Sequence, residues 1–179
     1  MATIHVLDET TINKIAAGEV VERPASVIKE LIENSIDASA TNIEVEIGEG
    51  GVAYMRITDN GIGMTEEDAR LAILRHATSK IQQVEDLFDI ASLGFRGEAL
   101  ASIASVSHFS LTTRKADSDL GTRITVDGGT FTDCIPYGAA PGTTIEIKDL
   151  FYNTPARRKF LKTERTEALS LIHISEPTR

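Results

Sequence analysis

From His108 to Ile147 the chain reads as four strands in close succession: His108–Arg114, Thr122–Asp127, Thr130–Ile135 and Thr143–Ile147. Glycines punctuate every connection between them, and connections this short join antiparallel neighbours. The segments ahead of this run carry mostly helical patterns. Helices early and hairpin-connected strands late predict an α+β sandwich, with helices on a mostly antiparallel β-sheet. A length of 179 residues suits one domain with a real core.

The stretch from Pro24 to Asp37 predicts an amphipathic helix, with proline at its first position. Ile28, Leu31, Ile32, Ser35 and Ile36 share its apolar side. Glu30, Asn34 and Asp37 fall within roughly 60° of one another on the other side. A short helix is expected from Thr10 to Ala17. Two strands follow the main helix, a half-buried one over Asn42–Gly48 and another over Val52–Thr58. Thr65 to Asp68 outlines a capping box that opens a helix reaching about His76. A helical turn over Glu85–Ile90, a glycine-punctuated loop over Ser92–Gly97 and a helix over Glu98–Val106 complete the series. Near the end, a helix under way at Arg165 is expected to break at Leu169 into β-branched residues and a proline-containing polar stretch. That division places one domain over residues 1–168 and treats residues 169–179 as a sequence scar outside the fold.

Composition excludes several classes. The formal net charge of −9 argues against a bulk nucleic-acid-binding surface. A single cysteine, Cys134, rules out an intramolecular disulfide or a multi-cysteine zinc site. The four histidines show no metal-ligand spacing. No apolar run reaches the length of a membrane span, and the expected setting is reducing and cytoplasmic.

Chemistry concentrates at five stations. On the Pro24–Asp37 helix, Glu30 can take a proton from water, and the Asn34 amide oxygen can ligate a hard cation such as Mg²⁺. Asp59, at the end of a strand, can accept a hydrogen bond from an exocyclic amine. Gly61 and Gly63 behind it leave room for close approach of a flat ligand. Thr78, Ser79 and Lys80 form a hydroxyl-rich loop whose lysine can pair with phosphate. Gly94, Phe95, Arg96 and Gly97 precede a helix, where free N–H groups favour an anion. Gly142 and Thr143 form a turn in which Thr143 can bond near an acid or a water. The chain lacks the P-loop, dinucleotide and hydrolase-elbow motifs.

These five stations, in this order, resemble the GHKL ATPase superfamily. The longer strings Ile15–Ser26, Arg75–Lys80, Gly94–Ser102 and Leu150–Leu161 resemble its DNA mismatch repair branch. The resemblance covers about residues 1–168, departing at Ser39, where the family carries glycine. It implies ATP binding and slow hydrolysis with Mg²⁺. Glu30 would be the general base, Asn34 the Mg²⁺ ligand and Asp59 the reader of adenine. Residues 94–97 would form a lid over the phosphates, with Thr78, Ser79, Lys80 and Thr143 as further contacts.

The resemblance also implies coupling of mismatch recognition to downstream repair through an ATP-dependent homodimer. The arm from Met1 to Asp8 would add a strand to the partner. The implied partners are a mismatch-recognition protein, downstream repair factors and DNA, in a bacterial cytoplasm with association to the nucleoid during repair and no membrane. Arg157, Arg158 and Lys159, with Lys162 and Arg165, form a local basic cluster suited to weak, non-specific phosphate contacts. The alternative is a nucleotide-gated interaction module that binds ATP without turning it over. Glu30 separates the two, because a pure binder needs no base.

Overall fold

The computed structural model describes residues 11–12, 15, 17, 21–74 and 98–175, with side chains up to residue 170. Six strands form one sheet, β1 (Ile43–Gly48), β2 (Tyr54–Asp59), β3 (His108–Arg114), β4 (Gly121–Asp127), β5 (Thr130–Tyr137) and β6 (Gly142–Lys148). Their spatial order is β1-β2-β6-β3-β4-β5, and every pairing is antiparallel. The helices are α1 (Pro24–Asp37), α2 (Glu66–Ala72), α3 (Ala99–Ser105), α4 (Pro155–Phe160) and α5 (Glu164–Ser175). Helices on an antiparallel sheet are the architecture that the element order predicts.

Strand alternation builds the core. Met55 and Ile57 of β2, Ile145 and Ile147 of β6, Phe109 and Leu111 of β3, and Ile124 and Val126 of β4 are all buried on one side. Against them α1 lays Val27, Ile28 and Leu31, and α3 lays Ile103 and Ala104. The opposite side of the sheet carries charge pairs such as Arg123 with Glu146 and Arg56 with Glu46. Such a one-sided antiparallel sheet needs only one apolar face.

Several boundaries differ from the sequence reading. β1 is an edge strand with its four central residues exposed. Val45 and Ile47 lie opposite Ile57 and Met55 but remain 39% exposed, because among the described residues β1 ends the sheet with no further strand beside it. Ile36 is half exposed, in the last turn of α1 beyond the buried stripe of Pro24, Ala25, Val27, Ile28, Leu31 and Ser35. Thr65 caps α2 by accepting from the Asp68 N–H at 3.1 Å, a contact that stabilises a helix by about 1 kcal/mol. The predicted break at Leu169 is absent, and α5 runs unbroken from Glu164 to Ser175. Thr11, Ile12, Ile15 and Ala17 are helical, as expected for that segment. The turn expected over Glu85–Ile90 and the arm from Met1 to Asp8 lie outside the described residues.

Candidate functional site

β2 ends in an apolar-to-polar alternation in which Met55, Ile57 and Asp59 share one face. Asp59 therefore faces the helices. Its Oδ2 accepts from the Ser35 hydroxyl of α1 at 2.8 Å. Its Oδ1 accepts from the Gly61 N–H at 2.9 Å and the Thr143 N–H at 3.3 Å. One carboxylate thus ties together the end of β2, the start of β6 and the helix that carries Glu30 and Asn34.

A polar row continues across the sheet from that point. Asp59 pairs with Thr143, Thr143 with Thr113 and Thr113 with Thr122 in the strand registers. The Thr113 and Thr143 hydroxyls lie 3.0 Å apart, and Thr113 also accepts from the Met64 N–H at 2.9 Å. Thr113 and Thr122 are buried. The side chains facing the helices are apolar in the middle of these strands and become hydroxyl-bearing at this end.

The loop from Asn60 to Gly63 is pinned rather than open. Asn60 Oδ1 accepts from the Thr41 and Asn42 N–H groups at 2.9 and 2.8 Å. The Ile62 N–H donates to the Ala38 carbonyl at 3.0 Å. A Cβ on Gly61 would come within 2.7 Å of the Ala38 oxygen, and Gly63 has φ +66 with its Cβ position 2.1 Å from the Arg114 oxygen. Both glycines are therefore required by the protein's own backbone, independently of the close ligand approach that their motif suggested. Gly142 is constrained likewise, at φ +117 with a Cβ position 2.0 Å from the Asp59 carbonyl oxygen.

Glu30 and Asn34 are half-buried and one turn apart on α1, as the helical spacing requires. Among the described residues no group of three or more His, Cys, Asp or Glu side chains could hold a metal ion. A single amide oxygen is compatible with Mg²⁺, which keeps several waters and needs few protein ligands. Thr78, Ser79, Lys80, Gly94, Phe95, Arg96 and Gly97 lie outside the described residues.

The basic cluster divides. Arg158 and Lys159 are exposed on α4, whereas the Arg157 guanidinium donates to the Val21 carbonyl at 3.3 Å. Sequence reasoning missed Ser35, which it assigned only to the apolar stripe, and Thr113. A hydroxyl inside an apolar helix stripe was the signal for Ser35. A cavity of about 390 Å³ between α2, α3 and the β4–β5 hairpin has Ile73, Leu74, Ala101, Val126 and Phe131 in its wall. Among the described residues none of the sequence-predicted site residues lines it.

An antiparallel sheet backed by helices, with an aspartate ending a strand beside an acid- and amide-bearing helix, defines a GHKL-type ATPase domain. The family model described as histidine kinase-, DNA gyrase B- and HSP90-like ATPase matches residues 22–130, and the chain belongs to that family. Within it, the chain is similar to DNA mismatch repair proteins named MutL. The MutL of Caldanaerobacter subterraneus subsp. tengcongensis is 59% identical over 174 residues, 97% of this chain and 30% of that protein. The MutL of Xanthomonas axonopodis pv. citri is 57% identical over 173 residues, 97% of this chain and 27% of that protein. The chain thus spans less than a third of the length of these relatives. Among solved structures, the Aquifex aeolicus MutL ATPase domain complexed with ADP superposes with a TM-score of 0.66 and 37% identity, covering 87% of this chain and 54% of that one. The N-terminal domain of a DNA repair protein superposes with a TM-score of 0.75 and 29% identity, covering 91% of this chain and 46% of that one.

Proposed function

We propose that this segment is the nucleotide-binding part of a mismatch repair ATPase, in which Asp59 reads the adenine amino group. The observation that carries the reading is the Asp59 carboxylate, fixed by Ser35, Gly61 and Thr143 beside the helix bearing Glu30 and Asn34. A carboxylate accepts only, so it selects a ligand edge that donates. Adenine presents an amine, and guanine presents a carbonyl at the equivalent ring position. The ADP named for the Aquifex aeolicus domain agrees with that choice.

Glu30 is assigned as general base toward water, and Asn34 as the protein's ligand to Mg²⁺. When bound, the metal neutralises charge on the phosphates. Thr78, Ser79, Lys80 and the run from Gly94 to Gly97 are assigned to the phosphates, with Thr143 at the edge of the site. Positioning and charge stabilisation account for most of phosphoryl-transfer catalysis, and this set would supply them in part. In the longer protein, ATP-dependent pairing of two copies would signal to repair factors. The exposed Arg158 and Lys159, with Arg157, would make weak, salt-dependent contacts to DNA. No described helix is long and apolar enough to cross a membrane; a cytoplasmic, nucleoid-associated setting is part of this proposal.

Calorimetric titration with ATP and GTP tests the binding step, and selective binding of ATP is expected. Equal affinity for GTP overturns the assignment of Asp59. Turnover tests the base in a chain long enough to hydrolyse ATP. Glu30→Ala is expected to retain binding and lose on the order of 10²–10⁴ in rate. An unchanged rate would overturn the assignment of Glu30 as the base, whereas binding with no turnover in the unaltered chain would favour the module that gates interactions without hydrolysis.

A further inference from the structure

We infer that Glu167 is a positioning residue for the helix that carries Glu30 and Asn34, acting through Arg23; this rests on the nucleotide-site reading above. Glu167 lies in α5 and is 2% exposed. Its Oε1 accepts from the Lys162 N–H at 3.2 Å. Its Oε2 stands 3.4 Å from Arg23 Nε. Those two atoms are both buried, and neither has a hydrogen-bond partner among the described residues. Each therefore has the other as its counter-charge. Burying a carboxylate is costly unless a charge answers it, so the pair holds α5 and the entry to α1 in one relation.

Arg23 is the N-cap residue of α1, in extended conformation and with no side-chain cap bond to the helix. The side chain is thus directed to α5 instead of to its own helix. The same entry is gripped twice more. The Arg157 guanidinium of α4 donates to the Val21 carbonyl. Beside it, the turn Glu49–Gly51 packs on both helices. A Cβ on Gly51 would come within 2.8 Å of Pro24 Cβ, and one on Gly50 within 2.8 Å of the Glu164 oxygen. Residues 21–24 are held between the α4–α5 pair and this turn. An α-helix transmits such a constraint along its axis, and Glu30 and Asn34 lie about two and three turns further on.

Asp59 sits on β2 and takes two of its three donors, the Gly61 and Thr143 N–H groups, from outside α1, with the Ser35 hydroxyl near the far end of α1 as the third. The two ends of the nucleotide are therefore held by devices that only partly overlap. Adenine depends chiefly on β2 and β6, whose backbone donors to Asp59 do not move with α1. The metal and terminal phosphates depend on where α1 presents Asn34 and Glu30. Loosening the Glu167–Arg23 pair should weaken the metal-dependent part of binding and spare the adenine part. A residue that merely supported the fold would affect both alike.

The test is calorimetry on the whole chain, with ADP in excess chelator and with ATP plus Mg²⁺. Glu167→Gln keeps the volume and the acceptor for Lys162 while removing the charge. It should lower the affinity for ATP with Mg²⁺ about five- to tenfold and leave ADP affinity within about twofold. Arg23→Gln, on the less buried partner, should do the same, and the double variant should bind no more weakly than either single one. Hydrogen exchange supplies a readout without nucleotide: amides of Val27 to Leu31 should exchange about tenfold faster in Glu167→Gln, with β2 and β6 unchanged. Unchanged affinities and exchange overturn the inference, as does a parallel fall of both affinities. If the unaltered chain binds ATP and the variants match it, only this inference fails. If the unaltered chain binds neither nucleotide, the nucleotide-site reading fails and takes this inference with it.

Discussion

Ser39 offers a direct test of how α1 hands the chain to the site. The helix ends with the Ser39 N–H donating to the Ile36 carbonyl at 2.9 Å and the Ala40 N–H to the Ser35 carbonyl at 3.0 Å. This is the Schellman arrangement, in which the residue after the C-cap takes a left-handed conformation. Ser39 does so, with φ 59. A side chain in that region costs roughly 1–2 kcal/mol. Ser39→Gly removes the strain but adds about 0.5–1 kcal/mol of chain entropy to lose on folding. Ser39 is exposed, so little packing is lost. The net gain is about 0.5–1 kcal/mol, which raises the melting temperature of a chain this size by roughly 1–4 °C. Paired urea and thermal unfolding curves measure it, with the urea slope m expected to stay constant. An unchanged or lowered midpoint would refute the strain argument. Serine at this position strains the cap, where the sequence resemblance alone suggested only a departure from glycine.

The basic cluster is read most cleanly through Arg158 and Lys159, because Arg157 is already bonded to Val21. Replacing Arg158 and Lys159 with Ala should reduce the slope of log K against log salt for duplex DNA by roughly 0.9 per lost contact, while ATP affinity stays the same. An unchanged slope in a salt titration with labelled duplex places DNA contacts elsewhere. On the open side of the sheet, the Tyr152 hydroxyl donates to Asp127 at 2.6 Å. That bond, followed by burial and the Asp127 charge, pushes the phenol up to about 12. A raised phenol stabilises the fold fully below about pH 10, the unfolded value, and the contribution is lost as pH rises toward 12. Tyr152→Phe should flatten the decline of the unfolding midpoint over that interval; a decline as steep as in the unaltered chain would show that the bond does not couple to folding.

The legible part of this fold is the part written in short periods. The alternation over His108–Arg114 and Thr122–Asp127 gave strands β3 and β4 to within a residue, because each buries one apolar face. Pro24 and the 3.6-residue stripe likewise gave α1 its full extent. Asp59 was legible as the polar end of the row from Met55 through Ile57. What local pattern could not carry was lateral position. The exposure of β1 depends on its place at the sheet edge, and α5 continues past Leu169 even though its later residues are β-branched. Ser35 was hidden because its hydroxyl matters only once β2 lies beside α1. The glycines were visible as constraints, but their cause, the Ala38, Asp59 and Arg114 backbone atoms against them, belongs to tertiary structure. The pairing of Arg23 with Glu167 joins residues far apart in sequence and leaves no local signature.

The most direct measurement is the affinity for ADP of the unaltered chain and of Asp59→Asn, by calorimetry in the same buffer. Asparagine keeps the shape of the side chain and an oxygen for the Gly61 and Thr143 N–H groups, so the fold and its circular dichroism should persist. It loses the charge that strengthens a bond to the adenine amine. Hydrogen bonds to charged groups contribute about 1.5–3 kcal/mol, so ADP affinity should fall roughly 10- to 100-fold. Equal affinity in the folded variant would contradict the account, because the nucleotide would then be held without the carboxylate on which the site is built.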